Sequence, residues 1–170
     1  MSANTGAHDV DEDEVESLLS VTSDDIDAPD EVSFARNVFL PLSTACVNSC
    51  DYCAFYDERG EANLMHPDEV RETLERGVRA GCTEALFSFG TRAETYPNIR
   101  EELGALGYDD TLEYLYDCCV EALELGILPH TNAGVMTRDE IGILAEVNAS
   151  MGLMLETTAK VEAHEGYATK

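Results

Sequence analysis

The chain has 170 residues, of which 35 are Asp or Glu and 10 are Lys or Arg, so its formal net charge is −25. This length is typical of a single domain, and a nucleic-acid partner is not expected because phosphate binding needs a basic surface. Only Lys160 and Lys170 are lysines. Such an acid excess is typical of a surface adapted to high salt, so we interpret the protein as halophilic.

Targeting signals are not apparent in the sequence. No run of about 18 apolar residues is present, and the N-terminus lacks the basic and apolar segments of a secretion signal. We therefore expect a cytoplasmic protein that neither enters a membrane nor is secreted. Six cysteines in a reducing compartment favour metal or redox use over disulfides.

The hydrophobic pattern divides the chain into three parts. Residues 1–31 are rich in Asp, Glu and Ser, so we predict an acidic flexible arm or a marginal helix around Val15 to Leu19. A folded part over 32–158 and a C-terminal tail over 159–170 follow. The elements predicted in the folded part are a strand from Phe34 to Leu42, a helix from Pro67 to near Gly81, a strand from Glu84 to Phe89, a helix from Thr111 to Leu125, a strand from Ile127 to Asn132, a helix after Thr137, and a strand from Gly152 to Glu156.

Local signals support the helices. Pro67 is followed by two acids, as at the start of a helix, and Thr137 with Glu140 matches the capping-box pattern. Helical spacing predicts which residues point inward. In the helix beginning at Thr111 these are Leu112, Leu115, Tyr116, Cys119, Val120 and Leu123, and in the last helix they are Ile141, Leu144 and Ala145.

Alternating strands and helices predict an α/β fold with a parallel sheet, in which ligands bind at the carboxyl ends of the strands. The second strand is followed by Gly90, Thr91 and Arg92, the third ends at His130-Thr131-Asn132, and the fourth ends at Glu156. Each also has a structural interpretation: Gly90 as a turn glycine, His130 as a hydrogen-bonded core histidine, and Glu156 as a cap. Their shared edge with the cysteine loop favours a binding site.

Cys46, Cys50 and Cys53 have the spacing CxxxCxxC in the loop after the first strand. A cubane iron–sulfur cluster has four irons, so three cysteines leave one iron open to a small molecule. A structural zinc site normally has four ligands, and the nearest further candidate, His66, immediately precedes Pro67. A zinc-stabilised binding module and an electron-transfer or redox-sensing cluster protein are the alternatives. Cys82, Cys118 and Cys119 lie outside the motif, and Cys119 is predicted to be a small buried hydrophobic residue.

The cysteine spacing, with the aromatic Tyr52 before the last cysteine, resembles that of the radical S-adenosylmethionine enzymes. Four segments in the same order resemble one subfamily, the 7,8-didemethyl-8-hydroxy-5-deazariboflavin synthase subunit, and the similarity runs from about Val32 to Thr158. These segments are 37–46, 82–90, 128–134 and 146–156. Two positions depart from the usual pattern: Thr91 stands where the family carries an acid, and Ala133 where it carries proline.

The resemblance implies that Cys46, Cys50 and Cys53 hold a [4Fe-4S] cluster, whose fourth iron binds S-adenosyl-L-methionine. The residues it implies for cofactor contacts are Tyr52, Gly90, Thr91 and Glu156, and those for substrate contacts are His130 and Asn132. The implied reaction closes the deazaflavin ring of coenzyme F(420) biosynthesis from a tyrosine-derived ribitylaminouracil adduct, with loss of ammonia. The implied partners are the partner synthase subunit and a reductant protein. The nearest alternative is a related radical S-adenosylmethionine enzyme, either the sibling subunit that makes the adduct or an enzyme of the menaquinone pathway.

The resemblance also implies a TIM-like barrel, which needs about eight βα units and roughly 250 residues. The four predicted strands correspond to about the N-terminal half. Phe39, Leu86 and Leu153 would then lack an opposite wall, and the open sheet would pair with another chain or aggregate. We therefore predict that this chain alone binds a cluster poorly and forms no product.

Overall fold

The structure, a computed structural model, describes residues 12–25, 30–50, 53–57, 60–154 and 164–166. The chain divides into two compact units, 1–34 and 35–170. The described residues of the first unit form helix α1 (Glu12–Leu19) and a short 3-10 helix, Ser23–Asp25. Helix α1 corresponds to the marginal helix predicted around Val15 to Leu19.

The second unit contains the remaining described elements. Its strands are β1 (Asn37–Ser43), β2 (Asn48–Cys50), β3 (Glu84–Phe89), β4 (Leu128–Asn132), β5 (Ser150–Met151) and β6 (His164–Gly166). Its helices are α2 (Pro67–Arg79), α3 (Pro97–Leu106), α4 (Thr111–Glu124), α5 (Arg138–Leu144) and a short 3-10 helix, Ala93–Thr95. None of the helices in the described part of the chain has the length and apolar content that a bilayer crossing requires.

Four strands form a parallel sheet in the order β1-β3-β4-β5. All four therefore end at one edge, which is where α/β proteins bind ligands. Strands β2 and β6 form a separate antiparallel pair, in which Cys50 lies opposite His164. The sequence did not predict this pair, because three-residue strands carry too little pattern to be recognised.

The two faces of the parallel sheet differ in burial. The face that packs against the helices carries fully buried side chains, namely Leu40, Leu42, Ala85, Phe87 and Thr131. On the other face, paired positions form a row across the strands: Phe39, Leu86, His130 and Ser150. Phe39 is 39% exposed, and Leu86 and His130 are half-buried. We call this second face the open face.

The predicted starts of α2 and α5 are confirmed. The His66 side chain accepts a hydrogen bond from the Asp68 N–H, and the Glu69 carboxylate accepts one from the His66 N–H, which completes a capping box before α2. His66, the nearest residue considered as a further metal ligand, is thus the N-cap of a helix. Thr137 and Glu140 form the second capping box, at the start of α5.

The face of α4 differs from the prediction. Its buried residues are Tyr114, Leu115, Cys118, Cys119 and Ala122, whereas Leu123 is 43% exposed, and Leu112, Tyr116 and Val120 are only half-buried. The helix is turned so that Tyr114 faces the segment before α2, where its hydroxyl donates to the Met65 carbonyl. The spacing of the apolar residues gave no indication of this hydrogen bond.

The last helix and strand also differ from the prediction. In α5 only Leu144 of the expected inward residues is buried; Ile141 and Ala145 are exposed, because this seven-residue helix lies at the open end of the sheet. Leu155 and Glu156 of the predicted fourth strand lie outside the described residues, and the described part of this strand is Ser150–Met151 rather than a strand that begins at Gly152. It ends early because only β4 flanks it in the described sheet, although the Gly152 N–H still donates to the Thr131 carbonyl (2.9 Å).

Helix α3 was missed by the sequence analysis. Its signals are Pro97 at the first turn and Gly107 at the C-cap, where φ is 95°. Both are ordinary helix boundaries, but the helix between them has only Ile99 and Leu103 buried. Two buried apolar side chains in ten residues make too weak a stripe for a helix to be predicted.

Candidate functional site

The loop that carries the three cysteines begins at the end of β1. The Thr44 N–H donates to the Asn63 carbonyl (3.2 Å), and the Thr44 carbonyl accepts from the Asp57 N–H (3.1 Å). The Ser43 hydroxyl donates to the Asn63 carbonyl (2.8 Å) and accepts from the Ala45 N–H (3.1 Å). These bonds join the chain before the cysteines to the chain after them, so the segment is a closed loop at the carboxyl edge of the sheet.

The segment after β3 binds the peptide unit between Cys46 and Val47. The Tyr96 hydroxyl donates to the Cys46 carbonyl (2.8 Å), and the Val47 N–H donates to the Thr91 carbonyl (3.0 Å). Both hydrogen-bonding groups of that peptide unit are thus satisfied by residues that follow the neighbouring strand. The first cysteine is consequently fixed to the end of β3.

Gly90 is in direct contact with the same loop. A Cβ atom at Gly90 would lie 2.2 Å from the Ala45 carbonyl oxygen and 2.4 Å from the Cys46 Cβ, distances that no side chain tolerates. Gly90 does not have a positive φ, so its backbone conformation is not what requires a glycine at this position. Glycine is required here because the backbone of the cysteine loop occupies the place of a side chain.

The thiols of Cys46, Cys50 and Cys53 are free, the first two half-buried and the third exposed. The Cys53 N–H donates to the Cys50 carbonyl (2.9 Å), which turns the loop between the last two cysteines. Within the described residues, no three His, Cys, Asp or Glu side chains converge as the ligands of a single ion would. Cysteines of a cubane cluster bind separate irons, so three free thiols on one closed loop fit such a cluster by their chemistry.

The other cysteines have different surroundings. Burial raises the pKa of the Cys119 thiol to about 11 and also raises the pKa of Cys118. Thiolates, rather than thiols, bind metals, so both residues are poor ligands. Cys119 is fully buried, which confirms its prediction as a small core residue, and Cys82 is half-buried in the turn between α2 and β3.

The loop after β3 contains two unusual residues. Thr91 is 1% exposed, and its hydroxyl oxygen has no hydrogen-bond partner in the described structure. Arg92 has a left-handed backbone with φ of 53°, and its guanidinium donates to the Glu140 carboxylate (2.8 Å). Left-handed backbone at non-glycine residues is uncommon and concentrates at functional sites.

His130 and Asn132 lie together on the open face. The His130 Nδ1 is 2.6 Å from the Ser150 hydroxyl. A Cβ atom at Gly152 would lie 2.4 Å from the Asn132 Oδ1 and 3.4 Å from the His130 Nε2, so both side chains cover this glycine. The structure thus brings the two predicted substrate-contacting residues to one place, although their role in binding stays a prediction.

A small cavity beside the site has a volume of about 30 Å³, and its polar lining is formed by Arg92, Glu94, Thr111 and Glu140. Its apolar lining includes Phe89 and Leu115, so it lies on the helix side of the sheet. This volume has room for water rather than for a cofactor.

Some predicted site residues cannot be placed, and some site residues were not predicted. Tyr52 and Glu156 lie outside the described residues, so their cofactor contacts stay predictions. Tyr96 and Ser150 were missed. The sequence carries no signal for Tyr96, because it is 50 residues from Cys46, whereas Ser150 could have been found from its place opposite His130 in a parallel register.

Known proteins resemble this chain over most of its length. The profile of the Radical SAM superfamily matches residues 40–164. The 7,8-didemethyl-8-hydroxy-5-deazariboflavin synthase of Haloarcula marismortui is 49% identical over 92% of this chain and 43% of that protein. The corresponding synthases of Halobacterium salinarum strain R1 and Methanosphaerula palustris are 52% and 57% identical, over 92% and 79% of this chain and 43% and 41% of those proteins. The chain therefore spans less than half the length of these relatives.

Among solved structures, methylornithine synthase is similar with a TM-score of 0.51 and 19% identity, over 70% of this chain and 32% of that chain. This likeness concerns the fold alone and, with the four-stranded parallel sheet, confirms a partial TIM-like barrel. The family resemblance noted in the sequence is confirmed as well, since the superfamily profile covers most of the chain. The chain belongs to the radical SAM superfamily.

Proposed function

We propose that the chain provides the cluster-binding part of a radical S-adenosylmethionine lyase, a 7,8-didemethyl-8-hydroxy-5-deazariboflavin synthase. This enzyme would form the deazaflavin chromophore from a tyrosine-derived ribitylaminouracil adduct with loss of ammonia. The observation that carries the proposal is the cysteine loop, which is bound to the segment after β3 through the Cys46–Val47 peptide. The names of the relatives support the choice of reaction.

Cys46, Cys50 and Cys53 would hold a [4Fe-4S] cluster and leave one iron for the amino and carboxylate groups of S-adenosylmethionine. When bound, the cluster and S-adenosylmethionine would supply one-electron reductive cleavage of a sulfonium bond and, through it, radical abstraction of hydrogen from the substrate. Within the chain, Gly90 and Thr91 adjoin Cys46 and would line the S-adenosylmethionine site. Tyr52 and Glu156 would complete the cofactor contacts.

His130 and Asn132 would bind the substrate from the open face. An asparagine amide offers one acceptor and two donors, which suits the amide edges of a uracil ring. Ser150 binds the His130 Nδ1 and so orients the ring, leaving the Nε2 beside Asn132 for the ligand. The two residues would position the adduct.

We further propose a reductant protein, which delivers the electron, and the partner synthase subunit as partners. A cytoplasmic location fits these requirements, since a reducing compartment keeps the free thiols of the loop available.

The cysteine ligands are tested by anaerobic reconstitution with iron and sulfide. Replacing Cys46, Cys50 or Cys53 by Ala should abolish the brown chromophore and the bound iron, because each removes one of the three thiolates. Cys118→Ala and Cys119→Ala are the controls and should retain the colour, since these thiols lie in the core. If Cys82→Ala is as damaging as Cys46→Ala, the ligand assignment is wrong.

The reaction class is tested by adding S-adenosylmethionine and dithionite to the reconstituted protein. The proposal expects a change in the electron paramagnetic resonance spectrum and release of 5′-deoxyadenosine. A cluster whose spectrum ignores S-adenosylmethionine would indicate an electron-transfer or redox-sensing protein. Zinc without iron would indicate a zinc module. If the chain joined to a second barrel half consumes tyrosine rather than its adduct, the sibling enzyme is indicated.

A further inference from the structure

The peptide unit after Cys46 is hydrogen-bonded at both its carbonyl and its N–H, and one of its two partners is a side chain. The Thr91 carbonyl that accepts from the Val47 N–H is backbone, so almost any residue could supply it. The Tyr96 hydroxyl that donates to the Cys46 carbonyl is specific to tyrosine. We infer that Tyr96 is a positioning residue for the cluster, which fixes the orientation of Cys46; this inference rests on the proposed function.

The donor itself is held rigidly. Tyr96 is 1% exposed and is the N-cap of α3, followed by Pro97. Its N–H donates to the Ala93 carbonyl (3.0 Å), and its carbonyl accepts from the Arg100 N–H (3.0 Å). The hydroxyl therefore projects from a fixed backbone to a carbonyl that belongs to another loop.

The orientation of the Cys46–Val47 peptide controls where the thiol points. Turning that peptide changes ψ of Cys46 and moves the chain that leads to Cys50. Contact between Gly90 and Cys46 prevents the loop from moving toward β3, and the Tyr96 bond prevents the carbonyl from turning away. Preorganised ligands need such supporting contacts to hold a metal centre in one geometry.

Tyr114 provides a matched control. It is also 1% exposed, and its hydroxyl also donates to a backbone carbonyl, that of Met65. Met65 lies outside the cysteine loop. Replacing either tyrosine by Phe removes one buried hydroxyl and leaves the ring, so the two variants lose the same chemical group at different places.

The first measurement uses the metal-free 170-residue chain. Iodoacetamide labelling followed by mass spectrometry gives the alkylation rate of Cys46 relative to Cys53. Tyr96→Phe should raise this ratio about fivefold, the factor equivalent to about 1 kcal/mol for a lost hydrogen bond, and Tyr114→Phe should leave it unchanged. Introducing p-aminophenylalanine at position 96 restores a donor and should restore the wild-type ratio.

The second measurement uses the reconstituted chain. Tyr96→Phe should release iron to a chelator about fivefold faster than wild type, and the electron paramagnetic resonance signal of its reduced cluster should be broadened, whereas Tyr114→Phe should match wild type in both. A merely structural role would affect the two variants alike.

The outcomes separate the two proposals. If Tyr96→Phe matches Tyr114→Phe in labelling, iron release and spectrum, the positioning role is overturned. If the labelling ratio changes as expected but wild type takes up no cluster, the tyrosine does hold Cys46, and it is the proposed function that fails. If Tyr96→Phe lowers the melting temperature more than Tyr114→Phe and p-aminophenylalanine does not restore the labelling ratio, the tyrosine acts through packing and the inference is wrong.

Discussion

At the scale of single residues, Gly90 shows how closely the sheet and the cysteine loop approach each other. The atoms that a Cβ would meet belong to the backbone of Ala45 and Cys46 and to the Cys46 Cβ, and none of them can rotate away. The position therefore couples the end of β3 directly to the first cysteine. A glycine at such a contact serves the binding site through its lack of a side chain.

We predict that Gly90→Ala displaces the cysteine loop. Overpacking of this kind costs about 1–3 kcal/mol, and the iron bound after reconstitution should fall to less than half. Urea unfolding and iron analysis measure the two effects. Gly104→Ala in α3 is the control: nothing lies within 4 Å of its Cβ position, so this variant should bind iron normally and gain about 0.5–1 kcal/mol. Normal iron content and stability in Gly90→Ala would contradict the contact.

At the scale of elements, the start of α5 is joined to the loop after β3. The Glu140 carboxylate accepts from the Thr137 N–H (2.6 Å) and from the Arg92 guanidinium (2.8 Å). The Thr137 hydrogen bond, followed by the interaction with Arg92, lowers the pKa of Glu140 from its ordinary value of 4.5. The same carboxylate thus caps a helix and holds the residue with the left-handed backbone.

We predict that Glu140→Gln lowers the stability at neutral pH by about 0.3–1 kcal/mol, because the amide keeps an acceptor oxygen but loses the negative charge that favours the helix N-terminus and pairs with Arg92. Because the folded pKa is depressed, the ionised carboxylate stabilises the fold above about pH 4.5, and this contribution is lost as the pH falls through the lowered pKa. Urea unfolding at pH 7 and in acid should therefore show a difference from wild type that disappears at low pH. Asp139→Asn, which removes a neighbouring first-turn acid, is the control. If the stability difference between Glu140→Gln and wild type is the same at pH 7 and in acid, the role of ionisation is refuted.

At the scale of the whole molecule, the open face of the sheet carries exposed apolar side chains among the described residues. Phe39 packs edge-on against the exposed Phe55 of the cysteine loop, with ring centroids 5.6 Å apart. Leu153, the third residue expected to lack an opposite wall, is also exposed. Exposed apolar side chains on a sheet face promote association with other chains.

We predict that the 170-residue chain alone forms no deazaflavin and holds less cluster than the same chain joined to a second half of four βα units. The added half would cover Phe39 and contribute further loops to the carboxyl edge of the sheet. Product analysis after anaerobic reconstitution compares the two proteins, with the extended Cys46→Ala protein as a blank. Abundant product from the 170-residue chain would overturn this prediction.

The net charge of −25 predicts a second property of the whole molecule. Repulsion among like charges destabilises the compact state, and salt screens it, since the Debye length falls to about 3 Å at 1 M. The melting temperature should therefore rise steeply from dilute buffer to molar KCl. Sucrose of equal osmolality is the control and should have a smaller effect. A melting temperature that does not change with KCl concentration would contradict the interpretation of the protein as halophilic.

The sequence by itself determined the features that depend on neighbouring residues. The start of α2 at Pro67, the capping box at Thr137, the buried strand β3 and the spacing of the cysteines were all readable, because each is set by contacts within a few positions. The order of strands and helices then implied the parallel sheet and its binding edge. The family resemblance was carried by the same local segments.

Only the tertiary structure decided which distant residues support the site. Tyr96 meets Cys46 across 50 residues, and Gly90 is required because of a loop that precedes it by more than 40 positions. Likewise, α4 is rotated from its apolar stripe because Tyr114 reaches the Met65 carbonyl. Hydrophobic spacing specifies that a face is buried but not what it meets, since long-range partners are chosen by the packing of the complete sheet and its helices.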